Sequence, residues 1–182
     1  MFTHQLDEHL ALKLISEEDA EPILACVERD RAQLAQWLPW ATDMQTIADE
    51  ESFITYARHQ FADGTMLPLT IVLDGIPVGA IDLHNIDTKQ QRAEIGYWLS
   101  SAVQGQGIMT RAVDRLMTIG FDELNLHKLI LEVDVDNSAS QAVAKRLHMH
   151  QEGTLRDQLL INGEFHNAHL FSTLETEWEA TN

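Results

Sequence analysis

The chain has 182 residues, a length typical of a single domain that can bury a sizeable core. Twelve lysines and arginines against 29 aspartates and glutamates give a net charge of −17, which disfavours nucleic-acid binding because phosphates carry the same sign. No apolar run approaches the length that crosses a bilayer, and the first residues lack a secretory signal pattern, so we expect a cytoplasmic protein that does not bind membranes.

The first third of the chain predicts one strand followed by two helices. Residues 10–15 have a strand-like pattern, and Ser16 is typical of a helix N-cap because three acidic residues follow it. A second helix is predicted from about residue 46 to residue 61, where Asp63 and Gly64 end it.

The rest of the chain alternates strand and helix patterns. Ser138 and Gln141 have the spacing of a capping box at the start of the last predicted helix. The order of elements, βααβββαβαββ, predicts an α/β fold of the mixed α+β kind, with a twisted, mixed sheet of roughly seven strands and helices on both faces. Strands are predicted over residues 67–73, 78–83, 93–99 and 129–135 and on both sides of an Asn162-Gly163 turn, and helices over about 107–121 and 137–147.

The most specific local feature is the loop of residues 104–110, Gln-Gly-Gln-Gly-Ile-Met-Thr, between a predicted strand and a predicted helix. Its two glycines allow the backbone to approach a ligand, and the helix start adds a positive dipole end, so the loop suits a pyrophosphate. A tight turn without a ligand explains a lone Gly-x-Gly equally well. The loop lacks the lysine of a P-loop, and Thr110 replaces the third glycine of a dinucleotide-binding loop, so coenzyme A is the favoured ligand.

Residues 93–99 (AEIGYWL) followed by residues 104–109 (QGQGIM) resemble the central strand and pyrophosphate loop of the GNAT acetyltransferases. More narrowly, they are similar to the RimL/RimJ type, the serine and alanine N-terminal acetyltransferases of ribosomal proteins. Residues 37–40 (WLPW), 135–140 (VDNSAS) and 162–164 (NGE) match the same type in the same order. The resemblance covers nearly the whole chain, so residues 1–182 are expected to form one GNAT domain.

The resemblance implies acetyl-CoA as cosubstrate and a direct transfer without a covalent enzyme intermediate. The strand that contains residues 97–99 would diverge from the strand over 129–135, and the V-shaped cleft between them would take the pantetheine arm. The loop amides would hold the pyrophosphate. The cofactor-binding residues implied in this way are Tyr97, Trp98, Leu99, Gln104, Gly105, Gln106, Gly107, Ile108, Met109, Thr110 and Asn137.

The same resemblance implies two catalytic residues. Ser140 is the candidate that protonates the leaving thiolate, although a first-turn helix residue behind an Asn137 cap explains it as well. Glu94 is the candidate base, because the attacking amine must lose its proton to a carboxylate or an imidazole, directly or through water. The alternative for Glu94 is a solvated or ion-paired strand residue. Asp82 and His84 share one face of a neighbouring strand and would either border the acceptor cleft or face solvent.

Four positions bear on how far the family pattern holds. Leu159 stands where the RimL type has a second glutamate, Asn167 where an aspartate is common, and Ala102 where the wider family has Gln or Arg. Asp157 would face the same side as the missing glutamate only if the strand register were regular. These departures affect the identity of the base and of the acceptor more than coenzyme A binding.

The predicted activity is therefore acetyl transfer to a primary amine, by resemblance the N-terminal amine of a ribosomal protein. The alternatives are acetylation of a small amine, such as a polyamine, an amino acid derivative or an antibiotic, and a coenzyme A-binding module without catalysis. No metal is expected, because the nine histidines come without a CxxC or HExxH pattern. Homodimer formation is left open.

Overall fold

The strand patterns of the sequence assemble into one sheet in a computed structural model that describes residues 3–179. This part of the chain contains eight strands rather than seven, because the three residues of the first strand are too few to form a recognisable pattern. The strands are β1 (Thr3–Gln5), β2 (Leu10–Leu14), β3 (Leu67–Leu73), β4 (Ile76–Asp87), β5 (Arg92–Leu99), β6 (Lys128–Asp134), β7 (His150–Ile161) and β8 (Glu164–Leu174).

Four-residue and five-residue helices were also absent from the prediction, since one turn shows no periodicity. The long α4 is followed directly by a π-helical turn over Ile119–Glu123, so the α-helical part ends earlier than residue 121. The helices are α1 (Ala20–Leu34), α2 (Trp40–Asp43), α3 (Ile47–Ala62), α4 (Ile108–Thr118), α5 (Ser138–Arg146) and α6 (Glu175–Glu179).

Polar side chains cap the starts of α3 and α5. Thr46 caps α3, where its backbone N–H donates to Asp49 Oδ2 at 2.8 Å and its hydroxyl accepts from the Asp49 N–H at 3.2 Å. The predicted capping box of Ser138 and Gln141 is wrong. The N-cap of α5 is Asn137, whose side-chain oxygen accepts from the Ser140 N–H at 3.1 Å, because an Asx side chain in that position reaches the third amide.

The sheet order is β1-β2-β3-β4-β5-β6-β8-β7, and it is mostly antiparallel. Within residues 3–179, β5 and β6 form the one parallel pair, which α4 connects as a crossover. Residues alternate between two packed faces: Ile95 of β5 belongs to the core beneath α4, whereas Trp98 packs on the opposite side against Val27 of α1. The prediction of helices on both faces is thereby confirmed.

The β5–β6 pairing stops after three residue pairs, from Arg92 opposite Lys128 to Glu94 opposite Ile130. Beyond that point β5 continues to Leu99 and stays paired with β4, while β6 continues to Asp134 and stays paired with β8. The two strands therefore diverge, as predicted, and leave facing backbone groups unpaired. We call this opening, between residues 95–99 and 131–134, the wedge.

Two carboxyl groups are buried where α3 packs against the first helical turn. Asp19 lies 2.7 Å from the Lys13 ammonium group and accepts from the Thr70 hydroxyl at 2.9 Å. Glu50 of α3 is 3 % exposed. Burial, with a smaller contribution from the negative charge of Asp19, raises the pKa of Glu50 from 4.5 to about 7.

This pKa predicts that the folded protein loses stability as the pH rises. The folded state binds the Glu50 proton more tightly than the unfolded state, so the free energy of unfolding falls by about 3 kcal/mol between the two pKa values. Glu50→Gln removes the ionisation, so the variant should unfold at a higher temperature than the parent at pH 8 and at a similar temperature at pH 5. Thermal unfolding at both pH values measures this. Glu51→Gln, on the exposed side of α3, should show the parental pH dependence, and the same behaviour in Glu50→Gln would contradict the prediction.

Candidate active site

The glycine loop of residues 104–110 stands between the open end of the wedge and α4. Gly105 has φ +76° and Gly107, the N-cap of α4, has φ +73°. Both conformations lie in the left-handed region that favours glycine. A Cβ at either position would meet no atom within 4 Å, so the requirement for glycine is conformational and the space beside the loop is open.

The amides of this loop can bind an anion. Among the turn, loop and side-chain hydrogen bonds of the described chain, none uses the backbone N–H groups of residues 105–109. The first amides of a helix have no intrahelical acceptor, and the 11-residue α4 adds the positive end of its dipole. The predicted loop therefore has the donors and the room for a pyrophosphate, and it uses no charged side chain.

A buried aspartate of α1 fixes the approach to the loop. Asp30 accepts from the Ser101 N–H and from the Ser100 hydroxyl, each at 2.9 Å. Burial alone would raise the pKa of Asp30, but the hydrogen bonds from Ser101 and Ser100 outweigh it and lower the pKa. The sequence contained a signal for this residue, since Asp30 lies three residues from Val27 on the apolar face of the helix.

Gln104 connects the glycine loop to the end of β5 and to α1. Its side-chain amide donates to the Leu99 carbonyl at 2.9 Å, and its oxygen accepts from Gln33 of α1 at 3.3 Å. Ala102, which departs from the family pattern, lies in the 3-10 turn Ser101–Val103. Asp30 bonds the backbone of Ser101, and Gln104 bonds the backbone of Leu99. These contacts hold the loop in place without a polar side chain at position 102.

Tyr97, Asn137 and Ser140 come together at the open end of the wedge. The Tyr97 hydroxyl donates to the Ser140 carbonyl at 3.5 Å, which links the β5 wall to α5. Burial raises the pKa of Tyr97 to about 12, so its phenol stays neutral and can donate. Among residues 3–179, no side chain or backbone group bonds the Ser140 hydroxyl, which leaves it available to a ligand.

Trp98 and Leu99 border the wedge with their backbone, because their side chains pack elsewhere. The Trp98 ring lies 6.0 Å, centroid to centroid, from the ring of Trp40 at the start of α2. Leu99 belongs to the core beneath α4. Any contact of these two residues with a ligand in the wedge would use their main-chain groups.

A second group of predicted residues meets around Glu94. His84 lies opposite Glu94 and Asp82 lies opposite Gly96 in the β4–β5 ladder. The His84 imidazole is 2.6 Å from Asp82 Oδ1 through Nδ1 and 3.5 Å from Glu94 Oε2 through Nε2. Gly96 leaves room for this contact, since a Cβ there would lie 3.0 Å from Asp82 Oδ2.

Asn85 of this group is not predictable from the sequence pattern, because strict alternation would turn its side chain away from His84. A bulge in β4, with Asn85 at φ +50°, brings the side-chain amide within 3.1 Å of Glu94 Oε1, to which it donates. We call Asp82, His84, Asn85 and Glu94 the vertex cluster, because the Glu94–Ile130 pair is the vertex of the wedge.

The vertex cluster has a negative net charge near neutral pH. The hydrogen bond from Asp82 raises the pKa of His84, burial opposes it, and the charges of Asp82 and Glu94 reinforce it. With His84 protonated, two carboxylates face one imidazolium. Such a cluster attracts a cationic amine.

The two groups of predicted site residues lie at opposite ends of the wedge. Asp134, after which α5 and Ser140 follow, is four residues beyond Ile130, about 13 Å along a strand. The structure therefore does not bring Glu94 beside Ser140. A proton exchanged between Glu94 and a group near Ser140 would have to travel through water.

The departures on the last two strands have structural explanations. The β7–β8 register is irregular between Leu155 and Leu159, and Asp157 within that stretch has φ +50°. Asp157 therefore does not follow the regular alternation that would place it as a substitute for the missing glutamate. Asn167 accepts from the Asp157 N–H at 2.9 Å through its side-chain oxygen, a contact for which an amide serves as well as a carboxylate.

Two negative findings apply to residues 3–179. No group of three or more His, Cys, Asp or Glu side chains in this range is arranged to hold a metal ion. No helix in the same range is long and apolar enough to cross a bilayer.

Comparisons with known proteins agree with this geometry. A family model described as an acetyltransferase (GNAT) domain matches residues 9–150. YdaF of Bacillus subtilis (strain 168), named provisionally as a ribosomal N-acetyltransferase, is 36% identical over 98% of both chains. The spermidine N(1)-acetyltransferase of Escherichia coli (strain K12) is 38% identical over 113 residues, 62% of this chain and 60% of that protein.

Among solved structures, RimL, a ribosomal L7/L12 alpha-N-protein acetyltransferase in complex with coenzyme A, superposes with a TM-score of 0.92. It is 25% identical, and the match covers 95% of this chain and 98% of RimL. The fold, the loop and the relatives agree, and the chain belongs to the GNAT family of acetyltransferases, whose typical cosubstrate is acetyl-CoA.

Proposed function

We propose that the protein transfers the acetyl group of acetyl-CoA to the N-terminal amine of a protein, with a ribosomal protein as the acceptor class. The observation that supports this most is the wedge, which opens beside a loop of unpartnered amides and has an anionic cluster at its vertex. The first two features suit a coenzyme A thioester, and the third suits an amine. YdaF and RimL, whose names refer to ribosomal acceptors, support the acceptor class.

In this proposal the donor is bound mainly by backbone groups. Amides of residues 104–110 hold the pyrophosphate at the start of α4. The unpaired edge of β5 at residues 97–99 bonds the pantetheine arm as a neighbouring strand would, and Asn137 adds a side-chain contact. A free N–H of this edge can also stabilise the oxyanion that forms at the thioester carbonyl.

The catalytic residues proposed are Glu94 and Ser140. An ammonium group arrives with one proton to lose before it can attack, and the vertex cluster with Glu94 receives that proton through water. The nitrogen then forms a bond to the acetyl carbon and gives up its second proton to a neighbouring base or water, while the carbon–sulfur bond breaks. The Ser140 hydroxyl, which has no partner among the described residues, supplies a proton to the leaving sulfur.

A small polyamine is the second candidate acceptor, and a specific observation favours it. The vertex cluster pairs two carboxylates with one imidazole at the closed end of the wedge, an arrangement that suits a compact cation. The similarity to the spermidine acetyltransferase supports the same candidate over part of the chain. Ribosomal proteins, in contrast, are located in the cytosol, and the sequence predicts the same location for this enzyme.

The acceptor is tested by acetyl-CoA-dependent thiol release with a panel of N-terminal peptides, spermidine and amino acid amides. The expected result is release with peptides and less than about a tenth of that rate with spermidine. Release with spermidine alone would replace the proposed acceptor by a polyamine. No release with any acceptor, with acetyl-CoA still bound in calorimetry, would indicate a coenzyme A-binding module.

The loop is tested by Gly105→Val with Gly64→Val as a matched control. Both glycines have φ above +70° and open space at the Cβ position, so both substitutions impose a similar backbone strain of about 1–2 kcal/mol. Gly64 lies after α3, away from the loop. Calorimetry should show coenzyme A binding weakened at least about 10-fold in the Gly105 variant alone, and equal affinity in both variants would contradict a pyrophosphate site.

The catalytic residues are tested by Ser140→Ala and Glu94→Gln. Each should lower kcat by about 100-fold, the usual contribution of one acid or base, with the affinity for coenzyme A unchanged. Ser138→Ala, on the exposed side of the same helical turn, and Glu51→Gln on α3 serve as controls. A kcat for either test variant within about threefold of the parent would remove that residue from the mechanism.

A further inference from the structure

A buried carboxylate and a histidine form a pair at the open end of the wedge. Asp134 is the last residue of β6, and its side chain is 3% exposed. One carboxylate oxygen, Oδ1, accepts from the Asp136 N–H at 2.8 Å, and the other, Oδ2, lies 2.7 Å from His166 Nδ1. His166, on β8, is 26% exposed.

Among residues 3–179, the contact with Asp134 is the one ion pair or hydrogen bond that the His166 side chain forms. Its other ring nitrogen, Nε2, therefore has no partner in that range. Leu159 lies directly opposite His166 in the β7–β8 ladder and offers no titratable group. The residue paired with His166 across the ladder therefore does not compete with the imidazole for a proton.

The position of the pair relative to the wedge follows from strand register. Counted from the Glu94–Ile130 pair, Asp134 is level with Trp98, near the open end of the stretch where β5 and β6 are unpaired. Asn137, the cap of α5, and Ser140 follow Asp134 within six residues. The pair therefore lies at the level where the proposed oxyanion donors and thiolate donor meet, about 13 Å from the vertex cluster.

The face of the sheet agrees with this position. Leu131 and Val133 of β6 point into the core beneath α4, so Asp134 points to the other face, which Glu94 also occupies. His166 reaches Asp134 on that face. The imidazole lies on the side of the wedge from which an amine would approach.

We propose that His166 is the catalytic base that takes the last proton from the attacking nitrogen, held in position and tautomer by Asp134. This inference rests on the proposed acetyl transfer. Nδ1 lies 2.7 Å from Oδ2 outside hydrogen-bond geometry, but the buried carboxylate charge favours a proton on Nδ1, so Nε2 presents a lone pair, as it does where an aspartate orients a catalytic histidine. Imidazole is also the side chain whose ordinary pKa lies closest to neutral pH.

The protons balance when two groups act on the nitrogen. The ammonium loses its first proton to the vertex cluster, and the neutral amine forms the carbon–nitrogen bond. His166 Nε2 takes the second proton as the amide forms, while the carbon–sulfur bond breaks and Ser140 protonates the thiolate. His166 then releases its proton to solvent through its exposed edge, and Ser140 regains one from water.

The kinetic test compares His166→Gln and Asp134→Asn with His169→Gln as the control. His169 lies on the same strand, on the opposite face, where its Nδ1 contacts the Thr154 hydroxyl at 2.9 Å. With whichever amine the parent acetylates, the first two variants should lose at least about 100-fold in kcat with coenzyme A affinity retained. The loss in His166→Gln should be larger at pH 7 than at pH 9, where hydroxide can replace the base. A kcat within threefold of the parent at pH 7 would overturn the proposal.

Nitrogen NMR of histidine-labelled protein provides a test that needs no turnover. The neutral imidazole of His166 should carry its proton on Nδ1, and its Nε2 resonance should shift when coenzyme A is added. An imidazolium that persists to pH 9, or a proton on Nε2, would show a structural ion pair and overturn the proposal. If no amine is acetylated at all, the proposed function fails in the thiol-release assay while the tautomer still decides the state of His166.

Discussion

The geometry of the site depends on where two parallel strands stop pairing. β5 and β6 share three residue pairs, and the last is Glu94 opposite Ile130. Backbone groups left unpaired in a protein interior cost free energy unless another partner satisfies them. Here each strand is held on its outer side by an antiparallel neighbour, so the wedge cannot close by sliding. The fold therefore keeps a permanent slot for an extended ligand with donors and acceptors of its own.

A net charge of −17 and a polyanionic ligand are compatible because of how the loop binds. Residues 104–110 contain no charged side chain, and the free amides of residues 105–109 and the helix dipole supply the positive potential. Acidic side chains are concentrated at the other end of the wedge, where Asp82 and Glu94 face His84. In the proposed mechanism the donor and the amine thus meet opposite potentials at opposite ends of one cleft, although the chain as a whole is acidic.

Local patterns were sufficient to predict the parts of the site that one segment contains. The glycine loop, the cap at Asn137 and the alternation that places Asp82 and His84 on one face are all short-range features. The missed features depend on irregular backbone or on distant partners. Asn85 reaches Glu94 only through a bulge, and Asp134 meets a histidine 32 positions later through strand order. No periodicity encodes such contacts, because they arise from tertiary pairing.

In the proposed mechanism the β7–β8 hairpin contributes to acceptor chemistry and not to donor binding. Its irregular stretch, with Asp157 in the left-handed region, is fixed by Asn167, and His166 beside it contacts Asp134 at the end of β6. The loop amides and the unpaired edge of β5 both lie outside this hairpin. Substitutions such as Leu159 can therefore change the groups that meet the amine while the slot for coenzyme A stays intact. Relatives named for a ribosomal acceptor and for spermidine both match this chain, so the family alone does not determine the acceptor.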